Sequence, residues 1–205
     1  MADLTLYHAS PSRSSTVLWM LEEVGEPYDI HLLKLMQGDQ LKPEYLAVNP
    51  QGKVPALKHN GVVMTEVAAI CTYLADAFPK ANLAIPVGDP RRGAYLQWLF
   101  FGPSCIEPAI ADRAWPRKEA PRQGAIGYRD IDQLVDIVAK AVAKGPYLMG
   151  EQFTAADVVI GSGVRWGTLF KLMPDRPEFG PYVARLAARA AAKRAEAKDE
   201  QMKAA

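Results

Sequence analysis

Cysteine is scarce in this chain. Only Cys71 and Cys105 occur among 205 residues. They are far apart, with no C-x-x-C pair and no Cys/His ligand spacing, which argues against a dithiol redox motif and a structural zinc site, and no metal is expected. An excess of charge of one sign is also lacking. The formal net charge is +1, which gives no reason to expect nucleic acid or an anionic membrane as a partner. No uninterrupted apolar run approaches a membrane span. Met1-Ala2-Asp3-Leu4 lacks the basic and apolar regions of a secretory leader. A cytoplasmic, reducing compartment is therefore expected, and no internal repeat is apparent. What the chain does have is an ordinary globular composition, 49% hydrophobic and 23% charged, sufficient for a normal core.

The first part of the chain alternates strand and helix patterns. Leu4-Thr5-Leu6-Tyr7 reads as a strand, and Val17, Leu18, Met20, Leu21 and Val24 mark a helix over 14–24 that stops at Gly25. A second strand follows over 28–33, and a short helix over 43–47. A third helix over 66–77 carries Val67, Ile70, Cys71 and Leu74 on one face. The crossover helix makes the first two strands parallel. Residues 78–89, rich in Pro and Gly, read as linker. Beyond them the pattern is helical only. A long stretch over 91–115 is interrupted at Gly102-Pro103. A loop-rich segment fills 116–127, and a clean amphipathic helix is expected over 128–142. Phe153-Thr154-Ala155-Ala156-Asp157-Val158 is a capping box with a hydrophobic staple. A last helix is expected over 181–192. The tail from Lys193 has almost no apolar face and reads as a solvated helix end or disorder.

The stretch that organises this plan is Asn49-Pro50-Gln51-Gly52-Lys53-Val54-Pro55-Ala56-Leu57. Pro50 and Gly52 make a turn, and Val54-Pro55 leads into a strand over 56–59. Asn60-Gly61 is a hairpin signal, because both central positions of that turn need positive φ. The partner strand covers 62–64. A proline at the mouth of a strand removes one ladder donor. With a trans bond it is an ordinary loop proline. With a cis bond the chain reverses and leaves the Val54 amide and carbonyl open to pair with an extended peptide.

This stretch, followed by a hairpin and Glu66 at a helix start, resembles the glutathione-site signature of the cytosolic glutathione transferases. The S/T-x-x-D box at 154–157 resembles that family's helical domain. The resemblance implies an α/β thioredoxin-like domain over residues 1–80, a linker at about 81–89, and an all-helical domain over 90–205. It implies a cis bond before Pro55, with Val54 pairing to the cysteinyl part of glutathione. It also implies attack of the glutathione thiolate on a small hydrophobic electrophile or a peroxide, with glutathione as co-substrate. A detoxifying homodimer would be usual for the family.

In this family a Tyr, Ser or Cys near the end of the first strand donates to the thiol sulfur. Tyr7-His8-Ala9-Ser10-Pro11-Ser12-Arg13-Ser14-Ser15 contains no cysteine, and the usual serine position falls on Pro11. The segment looks most like bacterial and fungal serine-type members with an S-x-S-R-S pattern. The order of preference is Ser12, then Ser10, then Tyr7. Serines before a helix are also common caps, and Tyr7 can be a half-buried strand residue. Arg13 neutralises a glutathione carboxylate or is simply solvated. The family's acid that pairs with the glutathione α-amino group falls on Glu66. The next position, usually Ser, is Val67, which retains its backbone N–H but has no hydroxyl; Thr65 is a possible substitute. Gln51 and Lys53 are within reach of the glycyl carboxylate. Tyr95, Phe100, Cys105, Ile106, Trp115 and Trp166 are candidates for the electrophile pocket, against the alternative that they are core. Two other functions are open: a glutathione-dependent thiol-disulfide reductase, and a non-enzymatic binding protein of the same fold.

Overall fold

The computed structural model describes residues 3–119 and 121–203. The expectations touching Met1, Ala2, Ala120, Ala204 and Ala205 lie outside the described residues. The chain forms two compact units: residues 1–82 together with 189–205, and residues 83–188.

The first unit is built on a mixed four-stranded sheet. Its strands are β1 (Leu4–His8), β2 (Asp29–Leu32), β3 (Ala56–His59) and β4 (Val62–Thr65), in the order β2-β1-β3-β4. β1 and β2 are parallel, and the β1–β3 and β3–β4 pairs are antiparallel. Asn60 and Gly61 sit at φ 49° and 82°, the positive values that the two-residue hairpin requires. Helix α1 (Ser14–Val24) is the crossover and ends at Gly25 in the left-handed region. A short α2 (Pro43–Leu46) precedes the hairpin, and α3 (Val67–Ala77) follows it. This is the thioredoxin-like plan. β1 alternates, burying Leu4, Leu6 and His8 on one side and leaving Thr5 and Tyr7 half-buried on the other.

The second unit is helical. It holds α4 (Arg92–Phe101), a π-helical turn over Gly102–Ile106, α5 (Glu107–Ala114), α6 (Ile131–Val142), α7 (Ala155–Leu169) and α8 (Phe179–Ala187). The π turn falls where Pro103 removes a backbone donor from the α-helical ladder. α6 starts later than the apolar pattern predicts, because Asp130 accepts the Gln133 N–H at 2.8 Å and sets the cap there. Tyr128 lies outside that helix and donates to Asp112. The predicted capping box is present, and α7 approaches α8 closely at Gly161, where a Cβ would stand 2.2 Å from Leu186 Cδ1.

The tail departs from expectation. Residues 190–203 form a helix, α9 (Ala190–Lys203), that packs on α1 and belongs to the first unit. The face it buries is Ala191 and Ala195, too small to register in the sequence as an apolar stripe. Its hold on α1 is mostly polar. Arg189 makes two hydrogen bonds to Glu23, at 2.6 and 2.8 Å, and Arg194 reaches Glu22 at 2.7 Å. Lys198 and Tyr28 also bond to Glu22. The helix expected over 181–192 is instead α8 and the start of α9. α8 begins at Phe179, two residues before Pro181, since a proline anywhere in the first helical turn costs no intrahelical bond.

Candidate functional site

The sheet register brings three chain segments to one end. Tyr7 pairs with Ala56, and Ala56 with Thr65. The β1–α1 loop, the Val54-Pro55 bend and the N-terminus of α3 therefore adjoin. Ser10, Ser12, Arg13, Val54, Pro55, Glu66 and Val67 all belong to these segments.

The Val54–Pro55 peptide bond is cis. Among the described residues, neither the Val54 N–H nor its carbonyl has a recorded hydrogen-bond partner. The carbonyl just before it is held firmly: Lys53 O accepts from the Tyr45 hydroxyl at 2.6 Å and from Asn49 Nδ2 at 2.7 Å. Asn49 Oδ1 accepts the Gln51 N–H at 3.1 Å, closing the turn. Gly52 sits at φ 62°, where a Cβ would lie 3.0 Å from the Gln40 carbonyl. The bend is thus braced on one side and open on the other. The Gln51 and Lys53 side chains are exposed beside it.

Glu66 precedes α3 at φ 70° and ψ 118°, unusual for a residue with a Cβ. Such conformations cost about 1–3 kcal/mol and persist where the surroundings impose them, often at ligand sites. The Glu66 side chain is exposed, and the first N–H groups of α3, beginning at Val67, lie at the positive end of its dipole.

The serines are not equivalent. Ser12 is half-buried; its Oγ accepts the Ser14 N–H at 3.0 Å and lies 2.7 Å from Ser14 Oγ. It thus caps α1 while keeping one side accessible. Ser10 precedes a second cis bond, at Pro11, and its Oγ is buried near Asp199 without a well-aligned hydrogen bond. Tyr7 lies on the strand face opposite His8, its ring 5.1 Å from His31 and 5.7 Å from Tyr45. Of the two serines, Ser12 is half-buried whereas the Ser10 Oγ is buried, which leaves Ser12 the more accessible hydroxyl.

Three residues here escaped the sequence reading. His8, fully buried, lies with Nδ1 2.8 Å from Ser14 Oγ and Nε2 2.9 Å from Asp199 Oδ1. Ser15 donates to the other Asp199 oxygen at 3.0 Å. Burial pushes the Asp199 carboxyl up, but the adjacent His8 ring and the Ser15 hydroxyl outweigh it and lower its pKa, although His8 Nε2 and Asp199 Oδ1 make no well-aligned hydrogen bond. One signal existed: His8 continues the buried alternation of Leu4 and Leu6, one residue beyond the predicted end of the strand.

The chain is similar to the glutathione S-transferases. A family profile described as "Glutathione S-transferase, N-terminal domain" matches residues 12–77, the span from Ser12 to the end of α3. Solved structures extend the likeness over the whole length. A glutathione transferase from Methylococcus capsulatus strain Bath is 29% identical, with 97% of this chain and 99% of that one covered and a TM-score of 0.80. A glutathione transferase homologue from Sulfitobacter, with bound glutathione, is 29% identical over 98% and 100% of the two chains, with a TM-score of 0.77. A theta-class enzyme from Xanthomonas axonopodis pv. citri, also with glutathione bound, is 27% identical over 95% and 97%, with a TM-score of 0.75.

In glutathione transferase terms, the aromatic candidates of the helical unit fare unevenly. Tyr95 is fully buried and Ile106 nearly so; both belong to the core of that unit rather than to an open wall, a correction that follows from their inward place on the helices. Phe100 and Trp115 are exposed, and Trp166 is stacked on Phe170 at 5.1 Å. Cys105 is half-buried, with its Sγ 3.4 Å from the Gly127 carbonyl, and burial raises its thiol pKa. Among the described residues, no cluster of three or more His, Cys, Asp or Glu suits a metal ion, and no helix is long and apolar enough to cross a membrane.

Proposed function

We propose that this protein binds glutathione at the braced sheet end and presents its thiolate to a small hydrophobic electrophile or a peroxide. The observation that carries this reading is the open Val54 main chain at a cis-proline bend. An extended cysteinyl residue can pair there in antiparallel fashion, which fixes the sulfur by backbone contacts alone. Glu66 offers its carboxylate to the α-amino group, and the Val67 N–H offers a donor to the γ-glutamyl carboxylate. Gln51, Lys53 and Arg13 serve the carboxylates as hydrogen-bond donors and positive charge. Ser12 donates to the sulfur, so the site is serine-type. A thiol is mostly protonated near neutral pH, and such a donor near the N-terminus of α1 favours the reactive anion. Phe100, Trp115, Trp166 and Cys105 remain the candidates for contact with the second substrate. A cytoplasmic homodimer with a detoxifying role, without nucleic acid or membrane as partner, completes the reading.

Retention on immobilised glutathione, followed by conjugation of a generic aryl halide, tests it. Retention with turnover is the expected result; failure of both overturns it. In the same assay Ser12→Ala should lower kcat/KM by about tenfold to a hundredfold. If Ser10→Ala lowers it and Ser12→Ala does not, the serine assignment is wrong. Val67→Ser should tighten glutathione binding by about tenfold to a hundredfold, the effect of one added hydrogen bond to a charged group, roughly 1.5–3 kcal/mol.

A further inference from the structure

We infer that Asp199, reaching α1 from α9, is a positioning residue which acts through Ser15 to hold the first turn of α1, and Ser12 with it, in place. The inference rests on the reading of Ser12 as the thiol's donor and adds what keeps that donor still.

Ser12 depends on a helix end that its own neighbours support poorly. Among the described residues, its hydrogen bonds all run to Ser14 and Ser15. Ser12 Oγ accepts the Ser14 N–H at 3.0 Å and lies 2.7 Å from Ser14 Oγ, and the Ser12 carbonyl accepts the Ser15 N–H at 3.1 Å. A first helical turn frays readily, because its N–H groups have no intrahelical acceptors. Local devices usually counter this: a side-chain cap, and an acidic residue in that turn. Arg13, at the cap position of α1, makes no side-chain capping bond, and the first turn holds no acid. The Ser12 hydroxyl therefore has to cap the helix and serve the thiol as well.

Asp199 supplies the missing acid from 184 residues away. Ser15 Oγ donates to Asp199 Oδ2 at 3.0 Å. The carboxylate thus stands beside the second residue of α1, where negative charge suits the positive end of the helix dipole. Its other oxygen lies 2.9 Å from His8 Nε2 without a well-aligned hydrogen bond, so Ser15 is the partner that Asp199 holds. Ser15 in turn holds Ser12. The path from α9 to the thiol's donor is two hydrogen bonds long: the Ser15 hydroxyl to Asp199, and the Ser15 amide to the Ser12 carbonyl.

The carrier of Asp199 is fastened by charge. α9 buries only Ala191 and Ala195, but Arg189 pairs with Glu23, and Arg194 and Lys198 pair with Glu22. Lys198 is the neighbour of Asp199 in sequence, so the last of these pairs fixes the turn of α9 that presents the carboxylate. Glutathione, by contrast, is held through Val54, Glu66 and Val67, on other segments of the chain. Loss of the Asp199 contact therefore disturbs the donor and leaves the grip on the tripeptide alone. Its effect belongs in kcat rather than in KM for glutathione. That gives α9 a role in the chemistry as well as in the packing.

The test uses Asp199→Ala in the full-length protein, with Asp199→Asn, which keeps an acceptor oxygen for Ser15, as the conservative rescue. A ligand-free readout comes first. Amide exchange at Ser14, Ser15 and Thr16 should be about tenfold faster in Asp199→Ala and near wild type in Asp199→Asn, with α3 and α7 unchanged in both. In the conjugation assay kcat should fall about tenfold in Asp199→Ala, short of the roughly hundredfold that a misplacement of about 1 Å can cost. KM for glutathione should stay within about twofold of wild type. Ser15→Ala should match Asp199→Ala, and the double variant should be no slower than either, because both changes break one path. Losses that multiply in the double variant, an Asp199→Asn as slow as Asp199→Ala, or a wild-type kcat in Asp199→Ala overturns the positioning role. A wild type that does not bind glutathione overturns the functional reading and the purpose of the contact with it. The exchange measurement needs no ligand, so the two failures remain distinguishable.

Discussion

Two carboxylates anchor the two units by opposite means. Asp157, in the helical unit, has its partners close in sequence. It accepts from the Thr154 N–H at 2.9 Å, from Thr154 Oγ1 at 3.2 Å and from the Leu148 N–H at 2.8 Å, with Tyr182 OH at 3.0 Å as the one distant donor. Asp199, in the sheet unit, takes its partners from the other end of the chain, His8 and Ser15. Burial dominates at Asp157 and raises its pKa despite those bonds, whereas at Asp199 the bonds win and lower it. The local device is a folding signal with no accessible chemistry. The long-range one stands one imidazole and one hydroxyl away from the half-buried Ser12. A buried acid is thus not by itself a functional sign; what matters is where its hydrogen-bond chain ends.

The strongest test of this contrast is Asp157→Ala. It leaves buried donors of Leu148, Thr154 and Tyr182 without an acceptor, and should cost about 3–5 kcal/mol in denaturant unfolding. A loss under about 1 kcal/mol would mean that the box is ornamental. Glu22→Gln, on the α1–α9 contact, should cost less, about 1–3 kcal/mol. Arg194 and Lys198 are about half exposed, at 53% and 45%, and can turn to water once released. The loss should show as faster amide exchange in α9, with α7 unchanged.

The smallest effect is the response to acid, and its sign differs between the units. At Glu22, burial raises the pKa, but bonds from Lys198, Tyr28 and Arg194 outweigh it and lower it, as at Asp199. A lowered folded-state pKa contributes stability that is complete above the unfolded value, about 4, and is lost as pH falls through the folded value. Asp157 behaves oppositely. Its raised value weighs against folding at neutral pH, and that penalty fades as pH falls from the folded value toward the unfolded one. Below about pH 4, amide exchange should therefore rise in α9 and α1 before α7. Simultaneous loss in both units would break the contrast.

Much of the fold was legible because it is written in short-range chemistry. The 14–24 helix, the Asn60-Gly61 hairpin and the Thr154–Asp157 box each depend on residues within a few positions of one another. The Val54-Pro55 bend was legible through the family signature around it. The start of α6 was missed because Asp130 caps it inside an apolar run that extends back to Tyr128. Tyr95 was misjudged because an aromatic residue on a helix has the same sequence pattern whether it faces a core or an opening.

The amino-acid order alone determined the strand and helix alternation, the turn residues and the capping box, since each of these is decided by backbone preferences over a handful of positions. Tertiary structure decided that Ser12 is half-buried, that Tyr7 packs on His31 and Tyr45, and that a polar tail returns to α1 carrying Asp199. The return of the tail depends on polar pairs between residues 166 to 191 positions apart, a separation at which neither periodicity nor propensity carries a signal.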